Sequence, residues 1–511
     1  MNQRTPALTT GSGWWNSRAA LVLYVLLAAV PLLWPPVPPL VDLPGHMGRY
    51  AVQLDPASPI LSQWYAFRWQ LIGNAGVDLL IVPLSQVFGL ELGVKLIVLA
   101  IPVLTVVGLL WIATEIHGRV PPTTLFALPL AYGHPFVFGF VNFSLGMALA
   151  LLGFALWLRI TRRPGGAVAR SILFALIACT VWLAHTFAWG VLGLLCGSAE
   201  FVRRREADES VAEAALRTVV ACLPMALPLL PMLFWRSQVA SQTDDWFNIV
   251  AKLHYLMRTF RDRWQLVDLA SLAIVFGVIL VAIRHPQLRY ARRLALATAL
   301  LVAAFVLLPR IIFGSAYADM RLLPFIFAIA LVAIGPVGAS RRTLGILAAI
   351  GVTFFVARTA ATAASFATVS ARWEAALGAL DHVPRGSRLV SFTRWPCGRP
   401  WTSDRLEHVP ALAIVRRHAF SNDQWQVAGA NAMTVIKRDA PGFTVDPSQM
   451  VTLEPCPISE WRTLDASLRQ LPRGAFDQVW LIGFGTPAPE LTRGMTLVWA
   501  RGDDRLYRID R

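Results

Sequence analysis

The sequence predicts an α-helical polytopic membrane protein of about 11 transmembrane helices with a small carboxyl-terminal α/β domain, and three observations carry that prediction. Hydrophobic residues make up 56% of the 511 positions and charged residues only 15%, with a mean hydropathy of +0.55, whereas a soluble globule carries about a quarter charged residues. Apolar runs near the roughly 20 residues needed to cross a bilayer alternate with short Arg-rich loops. From about Ala363 onward the chain becomes richer in charge and turns, with no run long enough to span.

Taken in order, Arg4 and Arg18 with Trp14 and Trp15 precede a first apolar run from Ala19 to about Leu40. A basic flank belongs in the cytoplasm, and the run is too long and too Pro-rich for a cleaved signal peptide. The segment 41–74 then lies outside, with Trp64, Tyr65, Phe67 and Trp69 giving it a surface-lying character. The apolar piece near 77–90 is short and carries Asp78 and Pro83, which predicts an interfacial or re-entrant helix. Leu92–Ala113 reads as a full span. Further spans are expected near Pro121–Tyr132, Phe143–Leu158, Ser171–His185, Phe187–Ala199, Val219–Trp235, Leu266–Val281, Leu294–Ile312, Leu322–Val337 and Leu344–Thr362.

This assignment places four basic clusters on one side of the membrane: Arg159 to Arg170 (with Arg162 and Arg163), Arg203-Arg204-Arg205, Arg284 to Arg293, and Arg341-Arg342. The net charge of +16 is therefore a topology signal and an affinity for anionic headgroups, and no nucleic-acid partner is expected. An odd number of spans from a cytoplasmic amino terminus puts the carboxyl-terminal portion outside. The multi-span part is expected over 1–362 and a soluble extracytoplasmic domain over 363–511. Within the latter, Arg388–Phe392, Gln478–Phe484, Thr496–Ala500 and Leu506–Ile509 read as strands, and Val409–Arg417 as a helix. Cys397 and Cys456 lie in the exported portion, where an oxidising compartment allows a disulfide but their spacing leaves open whether they are bonded or both incidental, whereas Cys179, Cys196 and Cys222 lie in apolar runs as packing residues.

The stretch Val41-Asp42-Leu43-Pro44-Gly45-His46-Met47-Gly48-Arg49-Tyr50 puts an acid, an imidazole and a guanidinium at the membrane edge, where ionisable groups are costly unless paired, hydrated or used. It reads as a catalytic loop. On the same predicted face lie His134 and Asn142 in Gly133–Asn142, His185, and Asp319 with Arg321. The last two also read as a simple loop ion pair. Asp244-Asp245 is a weak metal candidate with no third ligand, and Arg258, Arg261, Asp262 and Arg263 suggest an amphipathic surface helix. His408, His418, Asp423 and Trp425 are candidate acceptor contacts in the exported portion. Transporters place their binding groups near the midplane, often in two matching halves, and no internal repeat is visible.

In these features the chain resembles the GT-C superfamily of integral-membrane glycosyltransferases: a first span ending in an acid, a long external segment with surface-lying helices, many further spans with short basic loops, and an exported carboxyl-terminal domain. The resemblance implies sugar transfer from a polyprenyl-phosphate donor to a glycan, lipid or protein acceptor, with Asp42 as the base. Departing from the better-known pattern, Leu43 and Pro44 follow the acid where a Glu is expected, which leaves metal dependence open; the sequence itself calls for no cofactor. His46, Arg49, His134, Asn142, His185, Asp319 and Arg321 are the expected substrate contacts, because inverting transfer needs a base on the acceptor hydroxyl and positive charge on the departing phosphate. The expected location is a bacterial inner membrane. A carrier or flippase for a lipid-linked saccharide is the alternative, and a non-catalytic membrane scaffold whose exported domain binds a partner is a third reading.

Overall fold

The computed structural model describes residues 13–162, 165–235, 243–312, 315–398, 400–427 and 431–511. Arg4 and Arg163, used above as topology signals, lie outside the described residues. Five helices among the described residues are long and apolar enough to cross a membrane: Leu90–His117, Val141–Ile160, Ala167–Ala184, Gln265–Arg284 and the helix that starts at Arg341.

Several expected spans are instead broken, and proline explains where. The first helix covers only Arg18–Leu27, followed by a 3-10 turn at Val30–Leu32. Pro31, Pro35, Pro36, Pro38 and Pro39 then remove the donors a helix would need, so the chain continues without helix to Asp42. Pro121–Tyr132 folds as two buried 3-10 helices, Pro122–Phe126 and Leu128–Tyr132; such backbone is tolerated at membrane depth only where protein covers it. Val219–Trp235 is divided among the helices Val211–Cys222 and Leu229–Trp235 and a 3-10 turn at Leu223–Ala226, with Pro224 and Pro228 at the breaks.

The segment read as a catalytic loop is helical from Leu43 to Leu54, with Asp42 at the N-cap position and Pro44 in the first turn, where its missing N–H costs nothing. Gly48 allows this helix to pack closely, since a Cβ there would stand 2.8 Å from Gln424 Nε2 and 3.2 Å from Ala411 Cβ. The piece expected to be interfacial is the helix Gly76–Phe88. Its 13 residues reach only about 20 Å at 1.5 Å per residue, short of a roughly 30 Å hydrocarbon core.

The last membrane helix continues through the boundary expected at 363 as one element, Arg341–Leu377. Residues 363–377 contain neither Pro nor Gly and are rich in Ala, so nothing stops it. Beyond it, the strand-like runs are strands. Leu389–Arg394 pairs in parallel with Met450–Val451 on one side and Gln478–Ile482 on the other; Asp504–Ile509 then pairs antiparallel with Gln478–Ile482 and with Met495–Arg501. The segment after Asp42 is woven into this region, for Tyr65–Phe67 pairs antiparallel with Met433–Val435, and Tyr65 Oη donates to Ser421 O at 2.9 Å and accepts from Ser421 N at 2.8 Å. Cys397 and Cys456 are joined as a disulfide.

Candidate active site at Asp42

Asp42 is fixed by its own backbone. Its N–H donates to Phe138 O at 3.0 Å and its carbonyl accepts from His46 N at 3.0 Å. The segment Gly133–Asn142 thus supplies the wall behind it, and Gly139 makes the approach feasible. Gly139 has φ +103°, and a Cβ there would stand 2.7 Å from Asp42 N, so a side chain would both strain the backbone and displace the acid.

The carboxylate faces a cavity of about 1500 Å³ between the membrane helices and the carboxyl-terminal region. His408 stands beside the carboxylate, with Nε2 4.0 Å from Asp42 Oδ1. His408 Nδ1 donates to Asp423 O at 3.1 Å, which leaves Nε2 directed to the acid. Burial pushes the Asp42 carboxyl up to about 7; the charge of His408 opposes that rise, while Asp446 and Glu407 reinforce it. Burial alone would depress His408, but Asp446, Asp42, Asp423 and Glu407 more than offset it and leave His408 raised. The Asp423 carboxyl is likewise raised by burial, to about 6. The Asp42 shift brings an acid toward titration near neutral pH beside an imidazole raised above its ordinary value, a common property of proton-transfer sites.

Arg321 is the cation of this cavity best suited to an anion. Its Nη1 lies 3.1 Å from His185 Nε2, and its Nη2 donates to Ser315 Oγ at 3.1 Å and Ala316 O at 3.2 Å. Phe140 lies beneath the guanidinium at 4.2 Å. No carboxylate forms a salt bridge with Arg321 among the described residues, and its Nε is buried without a partner.

The other expected site residues divide. His46 and His134 line the cavity; His46 packs its ring edge-on to Trp425, centroids 5.1 Å apart, and His134 Nδ1 lies 3.3 Å from Arg261 O. Arg49 and Asn142 also reach the lining but hold structure together. Arg49 pairs with Asp78 at 2.8 Å; Asn142 donates to Asp78 Oδ2 at 2.9 Å and accepts from Val77 N at 2.6 Å, fixing the start of Gly76–Phe88. Asp319 turns away from the cavity and pairs with Lys252 at 2.8 Å, correcting the expected Asp319–Arg321 pair. Side chains two positions apart at a helix start do not face each other.

Of the candidate acceptor contacts, His408 and Trp425 line the cavity, Asp423 stands behind His408, and His418 is elsewhere, beside Arg385 at 3.0 Å. Asp244 and Asp245 are used locally, Asp245 pairing with Arg310. The stretch expected as a basic surface helix follows the helix Ile249–Met257 and clamps the two halves: Arg261 donates to Trp401 O at 3.1 Å, and Asp262 pairs with Arg405, which also donates to Pro39 O at 2.6 Å. Trp401 Nε1 donates to Asp268 Oδ2 at 2.7 Å. These long-range partners carried no local sequence signal. Among the described residues, no three His, Cys, Asp or Glu side chains gather as a metal-binding group.

The chain aligns over 96% of its length with ArnT from Cupriavidus metallidurans, in a complex with undecaprenyl phosphate (TM-score 0.50, 97% of that chain) and in the apo state (TM-score 0.51, 98% of that chain). The chain has the fold of ArnT. Identity to ArnT is 11% in both alignments, so the likeness is one of fold, and each role at Asp42 must stand on this chain's own residues. No family profile and no curated protein matches the sequence.

Proposed function

We propose that this protein is a membrane glycosyltransferase that moves a sugar from a polyprenyl-phosphate donor to an acceptor hydroxyl on the extracytoplasmic face, by inversion, with Asp42 as base. The observation that carries the reading is one cavity shared by a carboxylate poised near neutral pH and a guanidinium with no acidic partner among the described residues. The acceptor oxygen attacks the anomeric carbon as the bond from that carbon to the phosphate oxygen breaks. The electron pair leaves with the polyprenyl phosphate, and the hydroxyl proton passes to Asp42.

Arg321 brings to the cavity a guanidinium charge that no salt bridge neutralises among the described residues, and so stabilises the leaving group. Phe138, Phe140, Phe143 and Phe187 line the same part of the cavity and suit the isoprene units next to that phosphate. The fold likeness supports this assignment, since one of the ArnT structures is bound to undecaprenyl phosphate. His408 is the positioning residue, holding the carboxylate by charge. In this reading the protein lies in a bacterial inner membrane, with its amino terminus in the cytoplasm and the region after Leu377 outside.

The test is reconstitution in liposomes with a radiolabelled polyprenyl-phosphate sugar and a cell-envelope extract as acceptor source. Label moving from lipid to a new product supports the transferase. Intact donor crossing the bilayer with no new glycosidic bond would make the protein a carrier.

A further inference from the structure

The cavity has two chemically different ends. Aromatic lining contributed by the membrane half is Phe and Tyr, whereas the carboxyl-terminal region contributes only tryptophan: Trp395, Trp401, Trp425 and Trp461. Trp425 packs beside His408 near Asp42, and Trp401 is committed to Asp268. Trp395 and Trp461 remain, half-buried, with ring centroids 4.6 Å apart at 68°. Among the described residues neither indole N–H has a protein partner.

Their placement is that of a binding rim. Trp395 directly follows the parallel strand Leu389–Arg394, and Gly483 directly follows its parallel neighbour Gln478–Ile482. The cavity therefore opens over the carboxyl ends of parallel strands, where sheets with this connectivity bind ligands. Arg394 and the turn Arg501-Gly502-Asp503 line the same end with exposed polar groups. Two loops carry the tryptophans, and the Cys397–Cys456 disulfide already joins those loops, so the indole contact is not needed to hold them together. Flat indole faces with N–H donors, ringed by guanidinium and carboxylate groups, suit the C–H faces and hydroxyls of a sugar better than a lipid tail or an extended peptide. The cavity volume of about 1500 Å³ exceeds the roughly 300–1,000 Å³ usual for one small ligand and leaves room for two substrates.

We infer that Trp395, Trp461, Arg394 and Arg501 form a saccharide subsite at the carboxyl ends of these strands, and that the acceptor is therefore a glycan. Its role as acceptor subsite rests on the transferase reading; saccharide binding does not. The experiment uses the full-length protein in lipid nanodiscs and a panel of neutral and uronic-acid-containing oligosaccharides of two to four sugars, read by saturation-transfer difference NMR. The wild type binds at least one of them, and Trp395→Ala and Trp461→Ala each weaken that binding up to about tenfold. Arg501→Ala, on an exposed turn remote from the core, weakens it several-fold, so the inference does not depend on the tryptophan variants folding. Undecaprenyl phosphate binding, followed by native mass spectrometry, stays at the wild-type level in all three variants. Absence of binding to any saccharide, or equal affinity in wild type and Arg501→Ala and the tryptophan variants, overturns the subsite. Saccharide binding with no undecaprenyl phosphate binding by the wild type overturns the transferase reading instead and leaves the saccharide subsite standing.

Discussion

His408 Nε2 stands 4.0 Å from Asp42 Oδ1, joining the end of the first apolar segment to the region beyond the last membrane helix. Burial and nearby acids hold Asp42 up to about 7 while His408 opposes them, so the carboxylate form becomes abundant only as pH rises through neutrality. Transfer should therefore increase with pH across that range. His408→Gln removes the opposing charge, and the rising limb should move to higher pH; His408→Lys should bring it back toward wild type. An unmoved limb in His408→Gln, in a pH–rate profile of kcat, would show that His408 does not act through Asp42.

Arg49 and Asp78 are both buried and paired at 2.8 Å. Arg49→Met strands the Asp78 carboxylate, and removing one partner of a buried pair costs about 3–5 kcal/mol. The variant should lose thermal stability and expression, whereas Arg49→Met combined with Asp78→Leu should recover much of both. A donor-binding defect with unchanged stability would instead make Arg49 a substrate ligand.

Gly139→Ala places a methyl group against Asp42 N at a positive φ. The left-handed conformation itself costs roughly 1–2 kcal/mol for a residue with a Cβ, but the larger effect should be on chemistry. A displacement of about 1 Å at a reacting group can cost roughly 100-fold. Turnover should fall by about that factor, with undecaprenyl phosphate binding little changed.

Arg321 and Asp319 should separate cleanly. Arg321→Ala should weaken undecaprenyl phosphate binding, and Arg321→Lys should recover only part of it because the forked donor is lost. Asp319→Asn should spare that binding but lower the melting temperature, since Lys252 would lose its buried partner. Binding titrations and thermal scans on the same preparations distinguish the two.

What was legible in the sequence was local. Apolar run length marks Leu90–His117 and Val141–Ile160, short strand-like runs mark Leu389–Arg394, Gln478–Ile482, Met495–Arg501 and Asp504–Ile509, and an acid after an apolar run marks Asp42. Helix continuity was less legible, because proline within apolar runs converted expected spans into 3-10 turns at Pro122–Phe126 and Leu223–Ala226. Pairing between distant segments was not legible. Nothing near Arg49 points to Asp78, nothing near Asp319 to Lys252, and His408 is legible only as a candidate acceptor contact, with no signal that pairs it with Asp42. Hydropathy places a charged residue at a boundary, but its partner is chosen by tertiary packing.

The central claim is that Asp42 takes the proton from the acceptor. Asp42→Asn keeps the side-chain size and removes the base, and Asp42 N and O, which hold the segment in place, are untouched. The decisive measurement is product formation by this variant in proteoliposomes with a radiolabelled polyprenyl-phosphate sugar, at matched protein and confirmed undecaprenyl phosphate binding. Loss of a general base predicts a fall of about 100- to 10,000-fold in transfer. Transfer at the wild-type rate would contradict the account.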